Sequence, residues 1–385
     1  MKKQFFNLAD INISEFGKIC SQTVNIKDYN FCSKINKKIV IYDGDYLISI
    51  INSPESVKLK SELHNCLKEG PGIFIIKKIF HNKKPIDKAT KIFLKIINEE
   101  NNSGGTQGDH FAKPGENERL WNSFQKLCER DPESFIDYYN NHLLRFVSEA
   151  WLGPFFQMTS QLNIVKPGGI AQEPHRDYHL GFQEDSFVSE FPLSSQIISQ
   201  FLTLQGAIAH TDMEISSGPT MILPFSQQYS LGYMAWRNSD FKDFFKKNAV
   251  QIPMKKGDAM FLNPALFHAA GENSESKDRI ANLLQVSSAF GKPLESVDRV
   301  KLAKLIYPIL LKKKKNNQLE KIDTQTVCAL AMDGYPFPTN LDLNPPLGES
   351  TPINMQALVE IALRENWPAK QFDMTIKKSE KLRIA

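Results

Sequence analysis

The short segment Glu173-Pro174-His175-Arg176-Asp177-Tyr178-His179 sets a histidine and an aspartate two positions apart. On an extended strand, residues two apart project to the same side. His175 and Asp177 can therefore grip one ion from one face, and an imidazole nitrogen beside a carboxylate suits Fe(II), Mn(II) or Zn(II). The pair alone is a weak signal: with 8 His and 20 Asp in 385 residues, chance supplies about 0.4 such matches. A rival, His210-Thr211-Asp212, stands just before the turn to Gly218, where an aspartate commonly caps local amides. A third ligand comes from His268, which ends a strand-like run after the Gly257-Asp258 turn. Eleven residues on, Arg279 opens the apolar stretch Ile280 to Phe290. A lone arginine there asks for an anion, because its planar fork binds carboxylates bidentately. Two histidines and one carboxylate on one face leave three coordination positions open. A bidentate 2-oxo acid fills two and O2 the third, with Arg279 on the distant carboxylate.

Elements must hold these residues together. Residues 1 to about 150 read as mixed. The Asp43-Gly44 pair between β-branched runs predicts a hairpin over 38–51. A helix is predicted over 53–69, stopped by Gly70-Pro71-Gly72, then a buried strand over 73–76. Residues 116–128 read as helical. A second helix is predicted from Pro132, with Leu143, Leu144, Phe146, Val147, Ala150 and Trp151 on its apolar face and Gly153 at its end. From about 154 to 291 the pattern changes to short strands at 155–165, 201–209, 220–223, 250–252, 259–262 and 280–290, with one helix near 239–248. Many short strands with Gly/Pro turns indicate a sandwich or barrel. Residues from about 292 return to helix, at 296–311 with a kink or stop near Pro308 and at 354–366, around a Pro-rich irregular stretch. Lys312 to Lys315 read as a solvated helix end.

Composition narrows the classes further. Hydrophobic residues are 41% and charged residues 23%, a globular balance. A net charge of +4 does not imply nucleic acid. No apolar run is long enough to span a bilayer, and Met1-Lys2-Lys3 is followed by no sustained apolar stretch, so neither a membrane span nor a secretory leader is expected. The last residues carry no peroxisomal address. Five scattered cysteines (20, 32, 66, 128 and 328) fit neither a disulfide framework nor a zinc ribbon. A reducing compartment, most simply the cytoplasm, is expected. No phosphate-binding glycine loop occurs. Oligomeric state is left open.

His-x-Asp, a distal His and an Arg 11 residues beyond it, in a strand-rich block, resemble the phytanoyl-CoA dioxygenase family. Three further segments carry the resemblance: Ser160 to Gly169 resembles the family's strand and Lys-Pro-Gly turn, Ser217 to Gln227 its middle Gly-x-hydrophobic-x-x-Pro segment, and Gly70 to Phe80 its early strand. Phe225-Ser226-Gln227 replaces the family's Gly-Ser-His. The resemblance covers about 70 to 290. It implies a mainly β chain with flanking helices (α+β), with a double-stranded β-helix, jelly-roll or cupin-like core at 70–291; outside its reach, 1–69 is expected to be an N-terminal extension and 292–385 a C-terminal helical extension packed on the core. It implies Fe(II) at His175, Asp177 and His268, with 2-oxoglutarate and O2 as cosubstrates, and prefers His175 to His210. It assigns Arg279 to the 5-carboxylate of 2-oxoglutarate, with Gln161, Asn163 and Gln205 as further cosubstrate contacts. In related halogenases a small residue replaces the carboxylate ligand, so Asp177 implies hydroxylation of an unactivated C–H in a small-molecule or acyl substrate, with release of succinate and CO2. The Gly-rich stretch 104–121 and the turn after Asp177 offer His110, Lys113, Arg119, Trp121, Tyr178 and His179 as substrate contacts. A non-catalytic jelly-roll binding protein and a cupin-type Lewis-acid metalloenzyme are the alternatives.

Overall fold

The computed structural model describes residues 3–103, 117–348 and 351–384. Chain order begins with helix α1 (Ile13–Cys20), strands β1 (Lys34–Asn36) and β2 (Ile39–Asp43), helices α2 (Gly44–Ile51) and α3 (Ser56–Lys68), strand β3 (Ile73–Lys77) and helix α4 (Lys84–Asn102). Strand β4 (Asn117–Leu120) precedes helices α5 (Ser123–Arg130), α6 (Pro132–Tyr139) and α7 (His142–Leu152). The middle holds β5 (Gln157–Val165), α8 (Asp185–Val188), α9 (Leu193–Ser199), β6 (Thr203–Ala209), β7 (Met221–Ile222), α10 (Gly232–Ala235), α11 (Ser239–Asn248), β8 (Ala259–Leu262), β9 (His268–Ala269) and β10 (Arg279–Ser287). Helices α12 (Arg299–Lys315), α13 (Lys321–Ala331), α14 (Met355–Arg364) and α15 (Ala369–Lys381) close the chain.

Eight strands form one sheet in the order β1-β2-β3-β8-β6-β10-β5-β4, antiparallel except at β2-β3. A second, smaller sheet pairs β7 with β9, and isolated bridges extend it to His175 on one side and Val250 on the other. The class is α+β, with more residues in helices than in strands, so the expectation of a mainly β chain is corrected. Helices α3, α4, α6, α7 and α12 to α14 bury their apolar stripes with Phe74, Leu162, Leu204 and Leu284 of the large sheet in one core. The other face of that sheet turns Ala207, Met260, Leu262 and Ala281 toward the small sheet.

Four sequence expectations are corrected. Asp43-Gly44 is a helix start, because Asp43 accepts the Tyr46 N–H and caps α2; β2 pairs in parallel with β3. Residues 117–120 form β4, an edge strand on β5, and the helix begins only at Ser123. The long helix expected from Pro132 is two helices, broken where Asn141 caps α7 through the N–H groups of Leu143 and Leu144. Residues 250–252 form no strand, since Val250 makes only a bridge to Ile222. Pro308 lies inside α12, which runs through it to Lys315. Helix α4 was legible in principle: Ile86, Ala89, Phe93, Ile96 and Ile97 recur at helical spacing and are buried.

Candidate active site

His175 and His268 exchange backbone hydrogen bonds across the small sheet, at 3.0 and 3.1 Å. That pairing sets the two imidazoles side by side, with centroids 4.6 Å apart. Each ring nitrogen Nδ1 lies 2.9 Å from a carbonyl two residues upstream, of Glu173 and Leu266. Nδ1–H donation to these carbonyls turns both Nε2 atoms toward Asp177, the side on which a metal would be held. Asp177 is fixed by its N–H on the Pro264 carbonyl at 3.1 Å. Its carboxylate faces both rings, 3.5 Å from His175 Nε2 and 3.4 Å from His268 Nε2. The donor atoms of all three lie within 4.8 Å of one another. Between the two ligands, Arg176 points the opposite way and donates to the carbonyls of Ser226 and Tyr229.

Charge follows from this crowding. Burial by itself would raise the Asp177 carboxyl, but the two imidazoles and the Gln205 amide outweigh it and hold the group well below the usual carboxylate range. Burial lowers the His175 imidazole, whereas Asp177 overcomes burial at His268 and raises it. Two imidazole nitrogens and an ionised carboxylate converging from one side form a facial donor set that fits a divalent transition metal and leaves its other positions open.

A cavity of about 470 Å³ opens between the two sheets beside this cluster. The pleat explains its wall. Arg279, Ala281, Leu283 and Gln285 alternate along β10 and all line the cavity, as do Gln161 and Asn163 of β5 and Gln205 and Ala207 of β6. Register brings Leu283 opposite Gln161 and Ala207, and Gln285 opposite Gln205. Gln205 donates to Asp177 Oδ2 at 2.5 Å and to Gln285 Oε1 at 3.3 Å, tying the three-donor cluster to the large sheet. Arg279 is 5% exposed, and burial lowers its guanidinium to about 10. It donates to the Gly218 carbonyl, and no carboxylate pairs with it among the described residues. Gly218 has φ +69°, and a Cβ there would strike the Glu272 and Gly271 carbonyls, so only glycine fits this approach.

The structure thus brings His175, Asp177, His268, Arg279, Gln161, Asn163 and Gln205 to one cavity, with Arg119 and Trp121 at its wall. Arg119 donates to Gln161 Oε1 at 3.4 Å and lies over the Trp121 ring. Tyr178 and His179 follow Asp177 with left-handed backbone (φ 65° and 38°) and are not among the residues that line this cavity. His110 and Lys113 lie outside the described residues. The rival histidine is a core residue: His210 meets Tyr138 OH and Thr90 Oγ1, each at 2.8 Å, while Asp212 accepts the Lys256 N–H. Sequence reasoning missed Gln172, Gln285 and Glu295 at the cavity wall. Gln285 was findable, standing in phase with Arg279 on one strand face. Glu295 sits in a loop and left no periodic signal.

Comparison with family models gives a match over residues 59–281 to the phytanoyl-CoA dioxygenase (PhyH) model. The chain belongs to the phytanoyl-CoA dioxygenase family. As a phytanoyl-CoA dioxygenase family member it is an oxygenase-type enzyme whose metal and cosubstrate are Fe(II) and 2-oxoglutarate, and the His175, Asp177 and His268 donors fit that metal. Comparison with curated proteins gives no match. Among solved structures, similarity is found to the non-heme alpha ketoglutarate dependent epimerase SnoN from nogalamycin biosynthesis, at 12% identity and TM-score 0.43, over 60% of this chain and 84% of that one. The carbocyclase SnoK from the same biosynthesis is similar at 16% identity and TM-score 0.42, over 62% and 84%. AviO1 from Streptomyces viridochromogenes is similar at 14% identity and TM-score 0.41, over 58% and 92%.

Proposed function

We propose that this chain is an Fe(II)- and 2-oxoglutarate-dependent dioxygenase that hydroxylates an unactivated C–H of a small-molecule or acyl substrate, with release of succinate and CO2. The observation that carries the reading is one cavity holding a facial His175–Asp177–His268 donor set and a buried arginine without a carboxylate partner among the described residues. The facing large and small sheets support a double-stranded β-helix as the core at 70–291, with 1–69 and 292–385 as extensions packed on it. Bound Fe(II) supplies the O2 chemistry that couples oxidative decarboxylation of 2-oxoglutarate to oxidation of the substrate.

The chain's own residues do the rest. His175 and His268 present Nε2, and Asp177 presents a carboxylate kept ionised by its neighbours. Arg279 pairs with the 5-carboxylate of 2-oxoglutarate, at the opposite end of β10 from Gln285. Gln161, Asn163 and Gln205 offer amides along the cosubstrate's length. Met213, Met254, Met260 and Leu262 keep the wall apolar and limit water. Asp177 would supply a carboxylate to the metal where halogenases have a small residue, which supports oxygen insertion over halogenation. The five free cysteines are compatible with a reducing compartment such as the cytoplasm.

Anaerobic titration of 2-oxoglutarate into Fe(II)-loaded protein tests the reading through the metal-to-ligand absorption band. The band is expected in wild type and in His210→Ala, and not in His175→Ala. Metal binding without any band moves the assignment to a Lewis-acid site. Absence of metal binding moves it to a non-catalytic binding protein.

A further inference from the structure

Helix α1 lies outside the stretch that matches the family model, at 59–281, yet its one aromatic side chain reaches the back of the three-donor cluster. Along β9 the pleat sends His268 to the cavity, and its neighbours Phe267 and Ala269 into a core on the other face of the small sheet. Phe16 of α1 closes that core. Its ring is wholly buried, with its centroid 4.9 Å from Phe267, 5.4 Å from Tyr229 and 4.9 Å from Phe241 of α11.

The other donor segment meets the same rings. Arg176, between His175 and Asp177, holds its guanidinium 5.3 Å from the Phe267 centroid and donates to the Tyr229 carbonyl at 2.9 Å. Phe267 and Arg176 are therefore the rear neighbours of all three donor residues. Phe16 touches Phe267 directly and reaches Arg176 through Tyr229. The backbone of the same segment is pinned there too: the Asn12 N–H donates to the Tyr229 hydroxyl at 2.7 Å, and the Asn12 side chain caps α1 through the N–H groups of Ser14 and Glu15. Phe16 and Cys20 are the buried residues of α1, so helix and core meet through this ring. Interiors are close-packed, so a hole left beside Phe267 is answered by movement of its neighbours, and those neighbours carry the donors.

We propose that Phe16 is a positioning residue for the metal: acting through Phe267 and Tyr229, it sets the backbone that presents His268, His175 and Asp177, so the metal-binding unit of this chain includes the N-terminal helix. The inference rests on the dioxygenase reading above.

The test is titration of full-length protein with Co(II), read by competition with a chromophoric chelator for affinity and by the visible d–d bands for ligand geometry. Phe16→Ala is expected to weaken Co(II) binding at least about tenfold and to alter the bands. Phe16→Leu keeps apolar volume and is expected to recover most of the affinity. Asn12→Pro, at an exposed position, removes the N–H to Tyr229 and the cap while leaving the core filled; it is expected to act in the same direction as Phe16→Ala, and decides the matter if that variant fails to fold. Tyr307→Ala empties a ring site in the other core and is expected to leave affinity and bands as in wild type. Wild-type affinity and bands in Asn12→Pro and in a folded Phe16→Ala overturn the proposal. An equal loss in Tyr307→Ala also overturns it, since general destabilisation then accounts for the effect. Wild-type protein that binds no Co(II) overturns the dioxygenase reading and this proposal together, whereas metal bound alike in wild type and variants overturns this proposal alone.

Discussion

At the residue scale, two His-x-Asp pairs of identical spelling have opposite fates. His175 keeps its Nε2 aimed at a carboxylate in a cavity, whereas His210 spends both ring nitrogens on Thr90 and Tyr138. Burial pushes the His210 imidazole down to about 3, against about 6.5 in an unfolded chain. Between those values the unfolded chain takes up a proton that the folded chain refuses. Stability is therefore lost as pH falls from about 6.5 toward 3, at up to about 1.4 kcal/mol per unit, and His210 adds no slope above 6.5. Replacing it by glutamine should shrink the difference in unfolding free energy between pH 7 and pH 5 by about 2 kcal/mol, measured by urea unfolding. An unchanged difference would mean that His210 is already protonated in the fold.

At the element scale, the segment 175–177 works because its middle residue is anchored. Arg176 is 2% exposed, lies over the rings of Tyr233 and Phe267, and reaches two carbonyls. Gly232 makes room for its guanidinium, which a Cβ there would strike. Holding the back of this short segment holds the two ligands at its front, the role that outer partners play for metal ligands generally. Arg176→Met is expected to weaken Fe(II) binding about 10- to 100-fold in a competitive metal titration, through looser ligand geometry. Gly232→Ala should act in the same direction by displacing the arginine. Wild-type metal affinity in both variants would show that β9 alone sets the ligands.

At the scale of the molecule, the C-terminal helices share the core of the large sheet. Tyr307 of α12 stacks on Phe372 of α15, 4.1 Å between centroids, and its hydroxyl donates to the Trp367 carbonyl at 2.7 Å. Arg299 donates to the Met158 carbonyl of β5, and Asp323 of α13 meets His142 of α7. The Arg299 bond crosses to the sheet that carries Gln161, Asn163 and Arg279, and the Asp323–His142 contact joins the last helices to α7. Tyr307→Ala removes a buried ring and two hydrogen bonds, and should cost about 3–5 kcal/mol. Chemical unfolding should remain one transition, seen alike by tryptophan fluorescence and by circular dichroism. Two separated transitions would show that residues 292–385 unfold as an independent module.

The three candidate metal donors that the fold brings together, the distal arginine and the strand-rich middle of the chain were legible in the sequence because each is a local pattern: His-x-Asp has the period of a strand, and Arg279 opens an apolar run. Alternation along the strand that Arg279 opens would also have placed Gln285 on the same face, a reading that the sequence analysis did not make. Other features depended on contacts between distant segments. Asp43-Gly44 spells a hairpin turn, yet β3 pairs in parallel with β2, and Asp43 caps a helix instead. The choice between His175 and His210 rested on family order until the fold showed which ring has a cavity beside it and which has Tyr138. Glu295 carries no local pattern at all; its burial and its place on the cavity wall arise only when the loop after β10 folds back against Asn122.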